Sequence, residues 1–266
     1  MTLDLLPALE PYRAQLEATV KPFVALEKVA LEKVDGEPGL RDAKVGGVPY
    51  WPKDLKYPTS SSGKPLYLLA QLNLDALPKL EGFPQTGMLQ FFIEGASGYG
   101  QDYNDPTSNK GHRVVYHPRA DLPDSQLEAK LPQPPQKDFD SSYEFLPFEK
   151  RTHARLSGTS SAAPISLEDA GWVARVGISP YDLGEKIVEA YRKRYRGNGH
   201  KLGGYPEFVQ DDPRADGDDS VLLFQLDSDD ALHLMWGDLG VANFFIKPGD
   251  LERLDFSRVL YHWDCS

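Results

Sequence analysis

The decapeptide KVGGVPYWPK, beginning at Lys44, returns at Lys201 as KLGGYPEFVQ. Three further strings follow each copy in the same order. LLAQL (68–72) is matched by LLFQL (222–226), GMLQFFI (87–93) by GVANFFI (240–246), and RVVYH (113–117) by RVLYH (258–262). The offset between partners shrinks at every step, which is what shortening loops produce without any reshuffling. Each copy is therefore a Gly-Gly-x-Pro turn followed by three apolar strings. Two copies at so long a period do not make a solenoid. A duplicated unit kept in one chain is expected to pack as a pseudo-twofold pair, because self-complementary surfaces close on themselves. The expected fold is α+β. It has a mainly antiparallel sheet built from two internal pseudo-twofold repeats, an N-terminal helix, and one helix before the second repeat. Within a single domain, 1–266, repeat one is expected at about 40–120, a connector and helix at 121–196, and repeat two at about 197–266.

The repeated strings LYLLAQL, LQFFI, VLLFQL and ANFFI hardly alternate, so they read as strands buried on both faces. The pairs Gly46–Gly47 and Gly203–Gly204 are expected to supply positive φ, a region glycine takes without a Cβ penalty. At the N-terminus Leu9, Tyr12, Leu16 and Val20 mark one stripe of a helix over 3–21, regular from Pro11 onward. Residues 23–31 read as a strand. Residues 121–140, with four prolines, read as an extended connector. Residues 156–164, LSGTSSAAP, read as a mobile loop. The clearest helix starts at Ser179 as N-cap with Pro180 in its first turn. Leu183, Ile187, Tyr191 and Tyr195 form its stripe, and Gly197 is its expected αL terminator. The cluster Arg192, Lys193, Arg194 and Arg196 complements the helix dipole, with an anion site as the alternative.

Composition excludes several classes. The formal net charge is −11, the opposite of a phosphate-backbone binder, so no nucleic-acid partner is expected. Cys265 is the only cysteine, which forbids an intrachain disulfide and fits a reducing, cytoplasmic compartment. No basic region followed by an apolar core opens the chain, so no signal peptide is expected. No apolar run is long enough to span a bilayer, so no membrane partner is expected.

The strings GGVPYWP, LLAQLNL, GMLQFFI, YGQDYNDPTSNKGHRVVYH, HKLGGYPEFVQ and MWGDLGVANFFI together resemble the bacterial YwqG-like family, a family of unknown function. The likeness runs from about residue 40 to the C-terminus and weakens across the connector. It implies an α+β fold with mainly antiparallel sheet and the internal duplication, and no established reaction. Some relatives resemble components encoded near toxin systems, which implies an immunity role.

Individual residues carry two readings each. Gln71 and Gln225 occupy equivalent places in apolar strands. They either satisfy backbone groups near the turns or line a polar ligand site between the halves. Trp51, which follows the first glycine turn, is a core-edge residue or a lid over a groove. Asp238, flanked by glycines, is a turn acceptor, an acid or a ligand. Asp102 and Asp105 stabilise turns or bind a cation, although the glycine and bidentate glutamate of a calcium loop are missing. Asp218 and Asp219 read as solvated turns, with a metal-binding acidic cluster as the alternative. His117 and His262 align in the repeat, with no third ligand placed beside them. Lys44 and Lys201 precede the two glycine turns.

Three function classes follow. The leading one is a binding or interaction protein without catalysis, including toxin neutralisation. It would use the loops 95–111 and 211–220, with Asp102, Asp105, Asp218 and Asp219, against a basic protein partner. The second is a small-molecule or sugar-like ligand binder using Trp51, Gln71, Gln225, Trp236 and Asp238. The third is a hydrolase or transferase using Asp238 and a histidine. No metal site or cofactor is expected, and no catalytic residue is assigned, because no nucleophile-elbow, zincin or P-loop motif is present.

Overall fold

The structure is a computed structural model and describes residues 2–29, 37–128, 130–132, 146–148, 153–215 and 217–266. Among these residues ten strands make one sheet: β1 (Lys21–Lys28), β2 (Lys44–Gly46), β3 (Tyr67–Asn73), β4 (Met88–Ile93), β5 (His112–His117), β6 (His153–Ala163), β7 (His200–Gly203), β8 (Val221–Asp227), β9 (Val241–Ile246) and β10 (Leu260–Asp264). Their order is β10-β9-β8-β7-β1-β6-β2-β3-β4-β5. Every pairing is antiparallel. The helices are short: α1 (Arg13–Ala18), α2 (Trp172–Val176), α3 (Pro180–Leu183), α4 (Glu185–Tyr195) and α5 (Pro248–Glu252). The fold is thus α+β and mainly antiparallel.

Read inward from either end, the sheet has the same plan. Lys44 pairs with Gln71 where β2 meets β3, and Lys201 pairs with Gln225 where β7 meets β8. Both inner hairpins slip register at one leucine, between Leu68 and Ala70 and between Leu222 and Phe224. The central pair is β1 and β6, in register from Lys21–Ala163 to Lys28–Leu156. The connectivity there is crossed. β1 precedes the first block but pairs with β7 of the second, while β6 precedes the second block and pairs with β2 of the first.

The sheet curls toward a barrel. Phe91 of β4 stacks on Phe224 of β8 with ring centroids 4.4 Å apart, so the inner faces of the two blocks meet. Phe244, Trp236, Leu69 and Leu223 belong to the same core. At the open seam the 97–110 loop bridges the edges: Tyr261 N donates to Pro106 O at 2.9 Å, and Trp263 N donates to Gln101 Oε1 at 2.9 Å. The outer faces are covered by the segments that follow the two glycine turns. Trp51 packs on Phe92, with centroids 5.8 Å apart, and Phe208 on Phe245, with centroids 6.0 Å apart. Strands β3, β4, β8 and β9 are therefore buried on both faces along nearly their whole length. A second core joins Leu9 and Leu16 of the N-terminal segment to Trp172, Tyr191 and Tyr205.

Several local expectations change. Residues 156–164, expected as a mobile loop, lie mostly in β6, where 156–163 pair with β1 while β2 takes the preceding 153–155. Their small side chains suit the position: a Cβ on Gly158 would lie 2.7 Å from Val24. The helix expected from Ser179 starts with that cap but breaks at Gly184, φ 79° and ψ 150°, into α3 and α4. Gly197 is not its αL terminator, since the C-cap is Arg196 in an extended conformation. The N-terminal helix begins as a 3-10 turn, Pro7–Tyr12, because two prolines in quick succession remove donors the α-helix needs. All four repeat glycines have positive φ, from 62° to 78°.

The fourth string of the repeat is aligned in sequence two residues away from its structural register. Gln90 faces Val115 across β4–β5, whereas Asn243, its counterpart, faces His262 across β9–β10. A slip of two keeps every side chain on its own face, so hydrophobic pattern cannot detect it. In register terms His117 corresponds to Asp264, not to His262. Part of the proline-rich connector expected over 121–140 lies outside the described residues, as does the end of the strand expected over 23–31.

Candidate functional site

The paired glutamines are buried, and protein atoms occupy their amides. Gln71 Oε1 accepts the Tyr50 N–H at 2.9 Å, and its Nε2 donates to Leu40 O and Asp42 O. Gln225 Oε1 accepts the Glu207 N–H at 2.8 Å, and its Nε2 donates to Gly197 O and Gly199 O. Gln90 and Asn243 complete the two clamps by donating to Tyr50 O and Glu207 O. Lys44 and Lys201 join the same turns. Lys44 Nζ donates to Gly39 O at 2.7 Å, and Lys201 Nζ donates to Tyr205 O at 2.8 Å and to Gly197 O. Burial holds both ammonium groups down to about 8.

The remaining candidate residues fall in separate places. Trp51 lies in a cluster with Leu66, Leu68 and Phe92, its Nε1 donating to Leu55 O at 3.0 Å. Trp236 lies in the main core against Tyr99. Asp238 sits in an exposed turn whose carbonyl accepts from Ser266 N at 3.2 Å, and among the described residues no histidine bonds its carboxylate. Asp102 organises its own loop, accepting from Lys110 at 2.7 Å, from Ser108 at 3.0 Å and from the Asn104 N–H at 3.0 Å, with its carboxyl held far below the usual range mainly by Lys110. Asp105 accepts from Thr107. Asp218 and Asp219 share Lys247, at 2.9 and 2.8 Å.

The concavity that best suits recognition lies elsewhere, between α3–α4 and the segment 210–212, with a volume of about 470 Å³. Local sequence shapes it. Ser179 Oγ accepts the Tyr181 N–H at 3.3 Å and starts α3. That fixes Tyr181 in the first turn, off the buried stripe, with its side chain 97% exposed at the rim. The break at Gly184 redirects the chain, so Glu185 and Val188 of α4 line the floor. Opposite stand Asp211 and Asp212. Four carboxylates, Glu168, Glu185, Asp211 and Asp212, face one guanidinium, Arg192. Glu168 is tied to Arg192 at 2.7 Å and Asp212 to Arg214 at 2.6 Å. Glu185 and Asp211 are exposed, and among the described residues no ion pair engages them. The groove therefore offers net negative charge, an accessible aromatic face and an apolar shelf, which together suit a cationic side chain. Sequence reasoning passed over Tyr181, Glu185 and Val188. The available signal was a tyrosine in a capped first turn that lies off the apolar stripe.

A curled ten-stranded antiparallel sheet with a lateral acidic groove defines an α+β protein. The chain belongs to the family described as a domain of unknown function, DUF1963, whose model matches residues 43–265. No curated protein matches the chain. Among the described residues no helix is long and apolar enough to cross a membrane.

Proposed function

We propose that this chain is a non-catalytic interaction protein of the cytoplasm, whose acidic groove takes a lysine- or arginine-bearing segment of a protein partner. The observation that carries the reading is the juxtaposition of the exposed Tyr181 ring with two carboxylates, Glu185 and Asp211, that lack an ion-pair partner among the described residues. A cation seated there gains Coulomb attraction from both carboxylates and a cation–π contact, the latter about 0.5–1 kcal/mol at an exposed site. The net charge of −11 adds long-range steering of a basic partner. Neutralising a basic toxin is one role such a groove suits, in keeping with the YwqG-like resemblance. The loops carrying Asp102, Asp105, Asp218 and Asp219 would frame the wider surface, Asp105 and Asp219 being the more available for contact.

Binding of a fluorescent oligolysine peptide, and of partners from the native host, tests the proposal. The double variant Glu185→Lys, Asp211→Lys, and separately Tyr181→Ala, are expected to weaken binding at least tenfold while leaving the thermal midpoint unchanged. Reversal of Asp102 or Asp218 is a poorer probe, since it would remodel a loop. Undiminished binding in the double variant would overturn the reading.

A further inference from the structure

A second concavity, of about 560 Å³, opens between the N-terminal segment, the start of β1 and α2. It shares no lining residue with the acidic groove. Two charged side chains line it, Lys21 and Arg175, and both are cations in a chain of net charge −11. Its floor is rigid. The Tyr205 hydroxyl is buried and donates to Thr19 O at 2.6 Å. The Thr19 hydroxyl donates to Leu16 O at 2.7 Å and accepts the Ile165 N–H at 3.0 Å. Lys21 Nζ stands 4.5 Å above the Tyr205 ring centroid, which fixes the ammonium over the floor. Ala14 and Ala18, with small side chains, leave the mouth open beside Gln15.

The charges there are only partly compensated. Burial, then the neighbouring Arg175 guanidinium, pushes the Lys21 ammonium below its ordinary range, and Asp169 is the carboxylate that opposes them. Asp169 is already engaged: Oδ2 accepts from Arg214 at 2.9 Å and Oδ1 accepts the Gly171 N–H at 2.8 Å. Among the described residues neither Lys21 nor Arg175 makes an ion pair with a carboxylate. A half-buried ammonium next to a guanidinium is unfavourable without a counter-charge, because partial desolvation strengthens their repulsion. The cheapest relief is an anion from solution.

We propose that this cavity binds a compact doubly charged oxyanion, a phosphoryl group or a small dicarboxylate, between Lys21 and Arg175. The guanidinium offers a planar fork of donors and the ammonium a point charge, a combination suited to either anion. The Gln15 carboxamide is placed to supply a further donor at the rim.

Calorimetric titration with inorganic phosphate and with succinate, each at matched chloride ionic strength, tests the assignment on the full chain. Lys21→Gln and Arg175→Gln are each expected to weaken binding at least tenfold, and Lys21→Arg to retain it. Arg175 is exposed and makes no ion pair with a carboxylate among the described residues, so its variant is expected to unfold at nearly the same temperature as the parent. Tighter binding of phosphate identifies a phosphoryl ligand, and tighter binding of succinate a dicarboxylate. Absence of binding by both anions overturns the proposal. So does equal affinity in Arg175→Gln, which would mark a non-specific salt effect.

Discussion

Gln71 holds the turn after the first glycine pair by accepting the Tyr50 backbone N–H at 2.9 Å, and Gln225 holds the turn after the second by accepting the Glu207 N–H at 2.8 Å. Each amide also donates to two carbonyls of the segment leading into its turn. A covering segment crossing the outer face of an apolar sheet leaves backbone groups far from water. One carboxamide, projecting from the strand beneath, satisfies three of them. The sequence GGxP followed later by L-L-x-Q-L therefore describes a tertiary device as well as a strand.

Replacing Gln71 by Leu strands the buried Tyr50 N–H and takes the donor from the partly buried Leu40 and Asp42 carbonyls. Each orphaned group costs about 1–3 kcal/mol. We expect Gln71→Leu to destabilise the protein by about 3 kcal/mol or more, with a similar loss for Gln225→Leu, read from urea unfolding midpoints. A loss below about 1 kcal/mol for either would show that the clamp is not what holds the turn.

Much of the architecture was open to reading because it rests on local strings. The strands around Gln71 and Gln225 announce themselves by uninterrupted apolar residues. Gly46, Gly47, Gly203 and Gly204 announce their positive φ by being glycine. Three features were hidden for identifiable reasons. Residues 157–163 of β6 are Ser, Gly, Thr and Ala, which resemble a loop in composition, and only pairing with β1 makes them a strand. The two-residue slip that sets His117 opposite Met88 and Asp264 opposite Val241 leaves the pattern of faces unchanged. The acidic groove joins Tyr181 and Glu185 to Asp211 across a gap in the chain that no local spacing encodes. The two halves match in strand order, register and clamp chemistry, and we read this as internal duplication.

Gly87 and Gly240 give that reading a direct test. A Cβ on Gly87 would lie 2.2 Å from His117 O, and one on Gly240 would lie 2.0 Å from Asp264 O. Both carbonyls are backbone and cannot retreat without shifting β5 or β10. Gly87→Ala and Gly240→Ala are each expected to cost at least about 2 kcal/mol, as overpacking against a fixed neighbour does. If one variant is neutral in thermal unfolding and the other is not, the two positions are not equivalent.

The crossed strands predict that neither half folds by itself. A chain cut between β5 and β6 gives one fragment whose β1 has lost both β6 and β7, and another whose β6 has lost β1 and β2. Interior edges of this kind expose rows of unpaired backbone groups. Each fragment alone is expected to show no cooperative unfolding transition, and the mixed pair to regain one. A sharp transition in a single fragment would show the halves to be independent.

Acid should act through two histidines. His112 donates from Nε2 to Val259 O at 3.0 Å, and His117 donates from Nε2 to Gln90 Oε1 at 2.9 Å, and both rings are buried away from water. Burial lowers each to about 4, against about 6.5 when unfolded. Between these values the unfolded chain binds more protons than the folded one. Stability is therefore full above about pH 6.5 and falls as the pH drops toward 4, by on the order of 3 kcal/mol for each histidine. Urea unfolding at stepped pH reads this directly. A stability that stays flat between pH 6.5 and 4.5 would contradict it.

Alkali should act in the opposite sense, through Lys44 and Lys201. Both side chains are buried and donate only to carbonyls, and burial lowers each to about 8, against about 10.4 when unfolded. Above pH 8 the folded ammonium gives up its proton while the unfolded chain keeps it. The unfolded state then binds more protons, so stability rises with pH, by roughly 1–2 kcal/mol per lysine up to about pH 9.5. The rise cannot continue. Burial raises the hydroxyl pKa of Tyr57, Tyr191 and Tyr261, so above about pH 10 the unfolded chain ionises tyrosines that the fold keeps neutral. Stability should then turn down. The double variant Lys44→Met, Lys201→Met is expected to lose the rise between pH 8 and 9.5 and to keep the downturn. A rise of equal size in that variant would assign the effect to other groups.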